Sequence, residues 1–175
     1  MGKKKVLFLD RDGTLIREPE NGVIDKLSDF RLLPDVIESL GKLKFAGYTF
    51  VIVSNQPGLG KGRINPEGFY EVHKEMLKLF AMDKIFFDEV LFCPHNEEEN
   101  CECRKPKTGL LTEYLRNNDI DMERSFVIGD RHTDIELAKN LGVKSVRVSA
   151  ENDSDAYFTS NSWKEIVRYI LDYQF

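Results

Sequence analysis

The sequence predicts an α/β protein: a doubly wound parallel sheet sandwiched between two layers of helices. Two observations carry this. Short apolar, β-branched-rich runs recur at 6–9, 50–53, 90–92, 126–128 and 143–148, separated by amphipathic stretches at helical spacing. Polar residues able to do chemistry follow directly on several of these runs, and open α/β sheets place their sites at the carboxyl ends of their strands. At 175 residues, 41% hydrophobic and 31% charged, the chain is long enough for one domain, 1–175, with a full core.

The first run, Val6 to Leu9, leads straight into Asp10-Arg11-Asp12-Gly13-Thr14. Two acids at a strand tip can hold a hard cation, or divide the work of nucleophile and general acid. Taken alone, an Asp-x-Asp after a strand suits a turn cap equally well. A polar excursion from Ile16 to Pro34 follows. Asp35 to Phe45 then carries Val36, Ile37, Leu40 and Leu43 at helical spacing, with Gly47 as the stop.

The second run ends in Ser54-Asn55-Gln56, whose hydroxyl, amide and nearby backbone donors could hold phosphate oxygens. The glycine-rich Pro57 to Arg63 is not a Walker loop, because its Gly-Lys is followed by Gly62, and it reads as a flexible turn. Asn65 as N-cap and Pro66 at the first helical position open a helix to Phe80, with Phe69, Val72, Met76, Leu77 and Phe80 on one side. His73 in this helix reads as a surface or packing residue.

After the third run, the segment Cys93 to Lys107 holds every cysteine of the chain. Cys93-Pro94-His95 and, five residues later, Cys101-Glu102-Cys103 supply three thiolates and an imidazole, a complete tetrahedral set for Zn2+. Four protein ligands leave no open position, so the metal is structural. Asn96 to Asn100 is too polar for a core segment. The same loop positions Arg104 and Lys105, cations that would offset a phosphate held among carboxylates, just before a helix beginning near Thr108.

The fourth run leads into Gly129-Asp130-Arg131-His132-Thr133-Asp134, where glycine permits a close turn and two more acids appear. His132 is expected at the site entrance. The fifth run completes the sheet. Trp163, Ile166, Val167, Ile170 and Leu171 fit a terminal helix packed on the domain, while residues after Ala150 match no motif.

A net charge of −5 and a pI near 5.3 argue against nucleic acid as a partner, since a phosphate backbone rewards a basic surface. A phosphorylated small molecule needs only a few local cations. No apolar stretch approaches the ~20 residues that span a bilayer, and Lys3-Lys4-Lys5 leads into a run too short for a signal-peptide core. The expectation is a cytoplasmic protein without membrane contact, a monomer or weak dimer.

Together, Asp10/Asp12, Ser54, Lys105 and Asp130 form an ordered set that resembles the haloacid dehalogenase superfamily, specifically its phosphatases with Asp-x-Asp at the first motif. The resemblance runs from Asp10 to about Val148. It implies a Rossmann-like sheet, catalytic Mg2+, and roles by position. Asp10 is the nucleophile that becomes an aspartyl phosphate, and Asp12 the general acid and later base. Ser54 binds the phosphoryl group, Lys105 is the third-motif lysine and Asp130 a magnesium ligand. Asp10 and the Asp12 carbonyl complete the metal's protein ligands, and Asp134 supports the site from behind.

With the cysteine loop, the resemblance narrows to the histidinol-phosphate and heptose-bisphosphate phosphatase branch, where a zinc-binding loop replaces a separate cap domain. The five-residue spacer between His95 and Cys101 looks like the phosphatase portion of bifunctional histidine-biosynthesis proteins, whereas the heptose enzymes typically carry a longer one. The substrate implied is histidinol phosphate, with D-glycero-D-manno-heptose 1,7-bisphosphate as the alternative. Histidinol phosphate carries an amine and an imidazole, which would favour an acid such as Glu18 near the leaving group. A sugar bisphosphate would favour extra cations, for which Arg17, Lys61 and Arg63 are available. A noncatalytic zinc-binding interaction module is the reading from another class, and it would lack one of Asp10, Asp12 or Asp130. All three are present.

Overall fold

Residues 2–173 are described by a computed structural model. Along the chain lie β1 (Lys5–Leu9), α1 (Val36–Phe45), β2 (Tyr48–Asn55), α2 (Pro66–Met82), β3 (Glu89–Cys93), α3 (Thr112–Asn117), β4 (Phe126–Gly129), α4 (His132–Leu141), β5 (Lys144–Arg147), β6 (Phe158–Thr159) and α5 (Trp163–Asp172). The strands form one sheet in the order β3-β2-β1-β4-β5-β6, and every pairing is parallel. The predicted three-layer α/β architecture is what forms. Each of the five apolar runs contributes a strand.

Continuous apolar runs are required because both faces of the sheet are covered. Leu7, Leu9, Phe50, Ile52, Phe126 and Ile128 point to one side, onto Leu40 and Leu43 of α1, Val72 and Met76 of α2, and Trp163 and Ile166 of α5. Val6, Phe8, Val51, Val53 and Val127 point to the other, onto Leu111, Tyr114 of α3, and Leu137 and Ala138 of α4. Phe8 is fully buried, and truncating such a ring to alanine costs about 3–5 kcal/mol.

Two segments differ from the sequence expectation. The stretch from Ile16 to Pro34 looks polar, yet Ile16, Ile24 and Phe30 are buried, as is the preceding Leu15. Backbone bonds from Arg17 N to Arg31 O (2.8 Å) and from Leu33 N to Leu15 O (3.0 Å) pin it to the sheet side. The region after Ala150, which carries no motif, adds β6 beside β5 and then α5. Trp163 of α5 donates its indole N–H to Thr14 O at 2.9 Å, so the terminal helix holds the turn that follows Asp12.

β1 and β4 are neighbours at the point where the strand order reverses. A crevice opens beyond their carboxyl ends, as the topology of such sheets dictates. Asp10 follows β1 and Asp130 follows β4, so residues 120 positions apart in sequence meet across it.

Candidate active site

The Asp10 backbone N–H donates to Ile128 O at 2.9 Å, extending the β1–β4 ladder by one residue and fixing where the side chain emerges. Two glycines let the acids close in. Gly13 has φ +76°, and a Cβ there would stand 2.4 Å from an oxygen of Asp130. A Cβ at Gly129 would stand 2.1 Å from Asp134. Asp10, Asp130 and Asp134 consequently bring one oxygen each within 4.8 Å of one another.

Lys105 is buried among them. Its ammonium lies 2.9 Å from Asp10 Oδ1 and 2.6 Å from Asp134 Oδ1. The other Asp134 oxygen accepts the Arg131 backbone N–H at 3.0 Å, so both its oxygens are occupied. Asp130 differs. Its Oδ1 is buried with no hydrogen-bond partner among the described residues, while Oδ2 lies 3.3 Å from Arg131 Nε.

The electrostatics follow from this crowding. Burial, then the charges of Asp10 and Asp134, push Asp130 up to about 8. Burial also lifts Asp134, to about 6, despite the offsetting charge of Lys105. For Lys105, burial opposes the charged form, but Asp10 and Asp134 outweigh it and hold the ammonium above its ordinary range. Three carboxylates against the Lys105 ammonium and the more exposed Arg131 guanidinium, with one orphaned oxygen, fit a hard divalent cation such as magnesium. Asp10 and Asp130 are the carboxylates with oxygens to offer it.

Asp12 stands apart from that cluster. Its Oδ1 accepts from Arg11 Nη1 at 2.9 Å and its Oδ2 from Gln56 Nε2 at 2.8 Å. Burial raises its pKa, outweighing the opposing charge of Arg11. Gln56 Nε2 also reaches Ser54 Oγ at 3.1 Å, since residues two apart on an extended strand end share a side. Asn55 lines the cleft, but its amide is spent on Lys105: Nδ2 donates to Lys105 O at 3.2 Å and Oδ1 accepts Lys105 N–H at 3.0 Å. This pins the lysine loop to the end of β2.

The cleft above these groups has a volume of about 410 Å³, enough for a small phosphate ester. Asp10, Asp12, Ser54 and Lys105 line its floor, and Glu18, Arg63, Arg104 and His132 also border it. Glu18 is paired with Arg131 Nη2 at 2.6 Å. Lys61 instead forms an ion pair with Glu99 of the cysteine loop, and Arg17 is exposed.

In that loop, Cys93, His95, Cys101 and Cys103 converge. Cys103 Sγ lies 3.0 Å from Cys93 Sγ, 3.4 Å from Cys101 Sγ and 3.2 Å from His95 Nδ1, and Cys93 and Cys101 are 3.6 Å apart. Ligand atoms on a zinc tetrahedron stand ~3.5–3.8 Å apart, so the set is slightly contracted around the right centre. Burial, then hydrogen bonding among the thiols, pushes Cys93 up to about 12, a penalty a bound cation would remove. The cluster could hold zinc with all four ligands from the protein. Arg104 then donates to His95 O at 3.3 Å, tying the cluster to the cleft wall.

Arg11 and Arg131 belong to this constellation although the sequence did not single them out as site residues, and Gln56, expected with Ser54 and Asn55 as a phosphate binder, instead holds Asp12. The available signal was the strand-like alternation at 54–56, which places Gln56 beside Ser54.

The fold is the one shared by haloacid dehalogenase-like hydrolases. A family model described as polynucleotide kinase 3 phosphatase matches residues 5–165, and the chain belongs to that family. It is 47% identical over 169 residues to the histidine biosynthesis bifunctional protein HisB of Campylobacter jejuni subsp. jejuni (strain 81-176), covering 96% of this chain and 45% of that one. It is 49% identical over 146 residues to HisB of Legionella pneumophila (strain Lens), covering 83% and 42%. The chain thus spans about half the length of the curated relatives it matches. The fold is shared with the D,D-heptose 1,7-bisphosphate phosphatase of B. bronchiseptica, solved with magnesium and phosphate, at a TM-score of 0.82, 22% identity and 96% and 98% coverage. A HAD-like phosphatase from Mesorhizobium loti aligns at a TM-score of 0.81 and 24% identity, covering 98% and 88%. No helix among the described residues is long and apolar enough to cross a membrane.

Proposed function

We propose that this chain hydrolyses histidinol phosphate to histidinol and phosphate through an aspartyl phosphate on Asp10. The observation that carries the chemistry is the pairing of two unlike acids on one cleft floor. Asp10 lies 2.9 Å from a buried ammonium, while burial raises the pKa of Asp12 above the usual carboxylate range.

A carboxylate oxygen of Asp10 attacks phosphorus in line with the ester oxygen. As the P–O ester bond breaks, the Asp12 carboxyl gives its proton to the departing alkoxide, which leaves as the alcohol. Asp12, now a carboxylate, takes a proton from water whose oxygen attacks phosphorus and frees phosphate and Asp10. Lys105, Arg104 and the Ser54 hydroxyl balance the phosphoryl charge. Magnesium, held by Asp10, the Asp12 carbonyl and Asp130, would supply further charge neutralisation. Asp134 holds Lys105 in place, and Cys93, His95, Cys101 and Cys103 would hold zinc, which would fix the loop that carries Arg104 and Lys105.

The substrate reading is supported by the HisB relatives and by Glu18, an acid on the cleft suited to the substrate's amine. A net charge of −5 favours a small ester over a polynucleotide. We place this activity in a single cytoplasmic domain acting as a monomer or weak dimer. Arg63 on the cleft favours the second reading, the heptose bisphosphate, whose extra phosphate it could meet. Metal-replete protein assayed against both esters decides between them. A kcat/KM higher for histidinol phosphate by ~10²-fold is expected; an equal margin for the sugar overturns the assignment.

A further inference from the structure

Arg11 is the second-largest fully buried side chain among the described residues and has 0% exposure. Among the described residues its only ion pair is with Asp12, at 2.9 Å. The guanidinium lies 4.4 Å from the centre of the Phe69 ring of α2, a cation–π contact, while Nε and Nη2 have no hydrogen-bond partner among the described residues. His73, also on α2, fills the same region, its ring against Phe69 and Phe92 and its Nδ1 likewise unpartnered.

For stability alone this is a poor arrangement. A buried ion pair with unsatisfied donors is commonly matched or bettered by apolar side chains of similar volume. Local rules broken in this way concentrate at functional sites. Among the described residues, the one polar group that the Arg11 side chain serves is the carboxyl of Asp12. Arg11 can only donate hydrogen bonds, and the amide nitrogen of Gln56 on the other oxygen is likewise a donor. Neither partner can accept the acid's proton.

We infer that Arg11 is a positioning residue for proton transfer: with Gln56 it fixes both oxygens of Asp12, so the acid's proton is directed to the leaving group in the cleft. This rests on the reading of Asp12 as the general acid. Gln56 is itself anchored, its backbone N–H donating to Cys93 O at 2.7 Å, so the grip on Asp12 is referenced to the end of β3.

Leaving-group dependence separates this role from a merely structural one. For esters whose alcohols are poor leaving groups, the acid's proton is needed as the bond breaks; for p-nitrophenyl phosphate it is not. The experiment measures kcat/KM, which reports the phosphorylation of Asp10 and not the later hydrolysis, for a series of aryl and alkyl phosphates. Metal-replete wild-type, Arg11→Met, Arg11→Lys and Asp12→Asn proteins are compared. Arg11→Met should lose ~10²-fold on alkyl esters and under tenfold on p-nitrophenyl phosphate, giving a steeper dependence on leaving-group pKa. Arg11→Lys, which keeps the charge but not the fork, should fall between and remains informative if the Met variant does not fold. Equal losses across the series in both Arg11 variants, with Asp12→Asn steep, overturn the inference and leave the acid assignment standing. A flat series for Asp12→Asn overturns both.

Discussion

Two clusters of metal-ligating side chains lie at neighbouring strand ends, and they are built in opposite ways. The cysteine loop closes on itself. Its four donors, all from eleven consecutive residues, are a full set for a tetrahedral ion and would leave nothing for an incoming molecule. The carboxylate cluster draws on Asp10, Asp130 and Asp134 from distant parts of the chain, includes a buried lysine, and keeps an oxygen of Asp130 unspent. A closed set contributes folding energy; an open set with excess charge gives up stability for reactivity. On the proposed function, the first cluster is a scaffold for the cleft wall and the second the place of chemistry.

The largest expected effect tests the open cluster. Asp10→Asn should lower turnover by about 10⁴-fold or more, with Tm unchanged or raised, because it relieves like-charge crowding against Asp130. Retained turnover would remove the nucleophile from the reading. Next comes the closed cluster. Cys101→Ser should reduce bound zinc, measured by elemental analysis, and destabilise by at least about 2 kcal/mol, lowering Tm by roughly 4–8 °C. Activity should fall too, through Lys105. A variant with wild-type Tm and no turnover would break the contrast and place the loop within the chemistry.

A smaller effect concerns protons and Mg2+ competing for the open cluster. Asp130 is pushed up to about 8, so its folded pKa exceeds its unfolded one. Its contribution to stability is full below about 3.8 and is lost as pH rises through 8. Added Mg2+, which binds the ionised form, should raise Tm more at pH 8.5 than at pH 6. Equal thermal shifts at both values would count against this cluster as the metal's site.

The smallest effect lies outside both clusters. Burial, then the charge of Arg11, lowers His73 to about 4 from 6.5. Its stabilising contribution is present above pH 6.5 and lost as pH falls through 4. Replacing it with Phe should flatten the acid arm of stability between those values, read from urea midpoints, with turnover at neutral pH nearly unchanged.

Much of this was legible in the sequence for a physical reason. Strands buried on both faces must be continuous apolar runs, and the chemistry of such sheets collects where the runs stop. Asp10, Ser54, Cys93 and Asp130 are all found at or just past strand ends. The thiol cluster was legible because its ligands are close in sequence. Long-range pairings left no local trace: Trp163 on Thr14 O spans 149 positions, and β6 is two residues long, below any periodic signal. Composition also misled at 16–34, where a few buried residues, Ile16, Ile24 and Phe30, anchor an otherwise polar segment. Arg11 was hidden for the opposite reason. Arginine is almost never fully buried, so the middle letter of Asp-Arg-Asp reads as solvent.

The order of the strands has one more consequence. β1 lies inside the sheet, hydrogen-bonded on both sides, whereas β3 is outermost and has only β2 beside it. A segment suspended from the margin can lengthen, shorten or change its ligands while disturbing a single neighbour. An insertion within β1 itself would break pairings on two sides. The architecture thus separates what can be retailored from what cannot, with the cysteine loop at the periphery and the Asp10 carboxylate at the keystone.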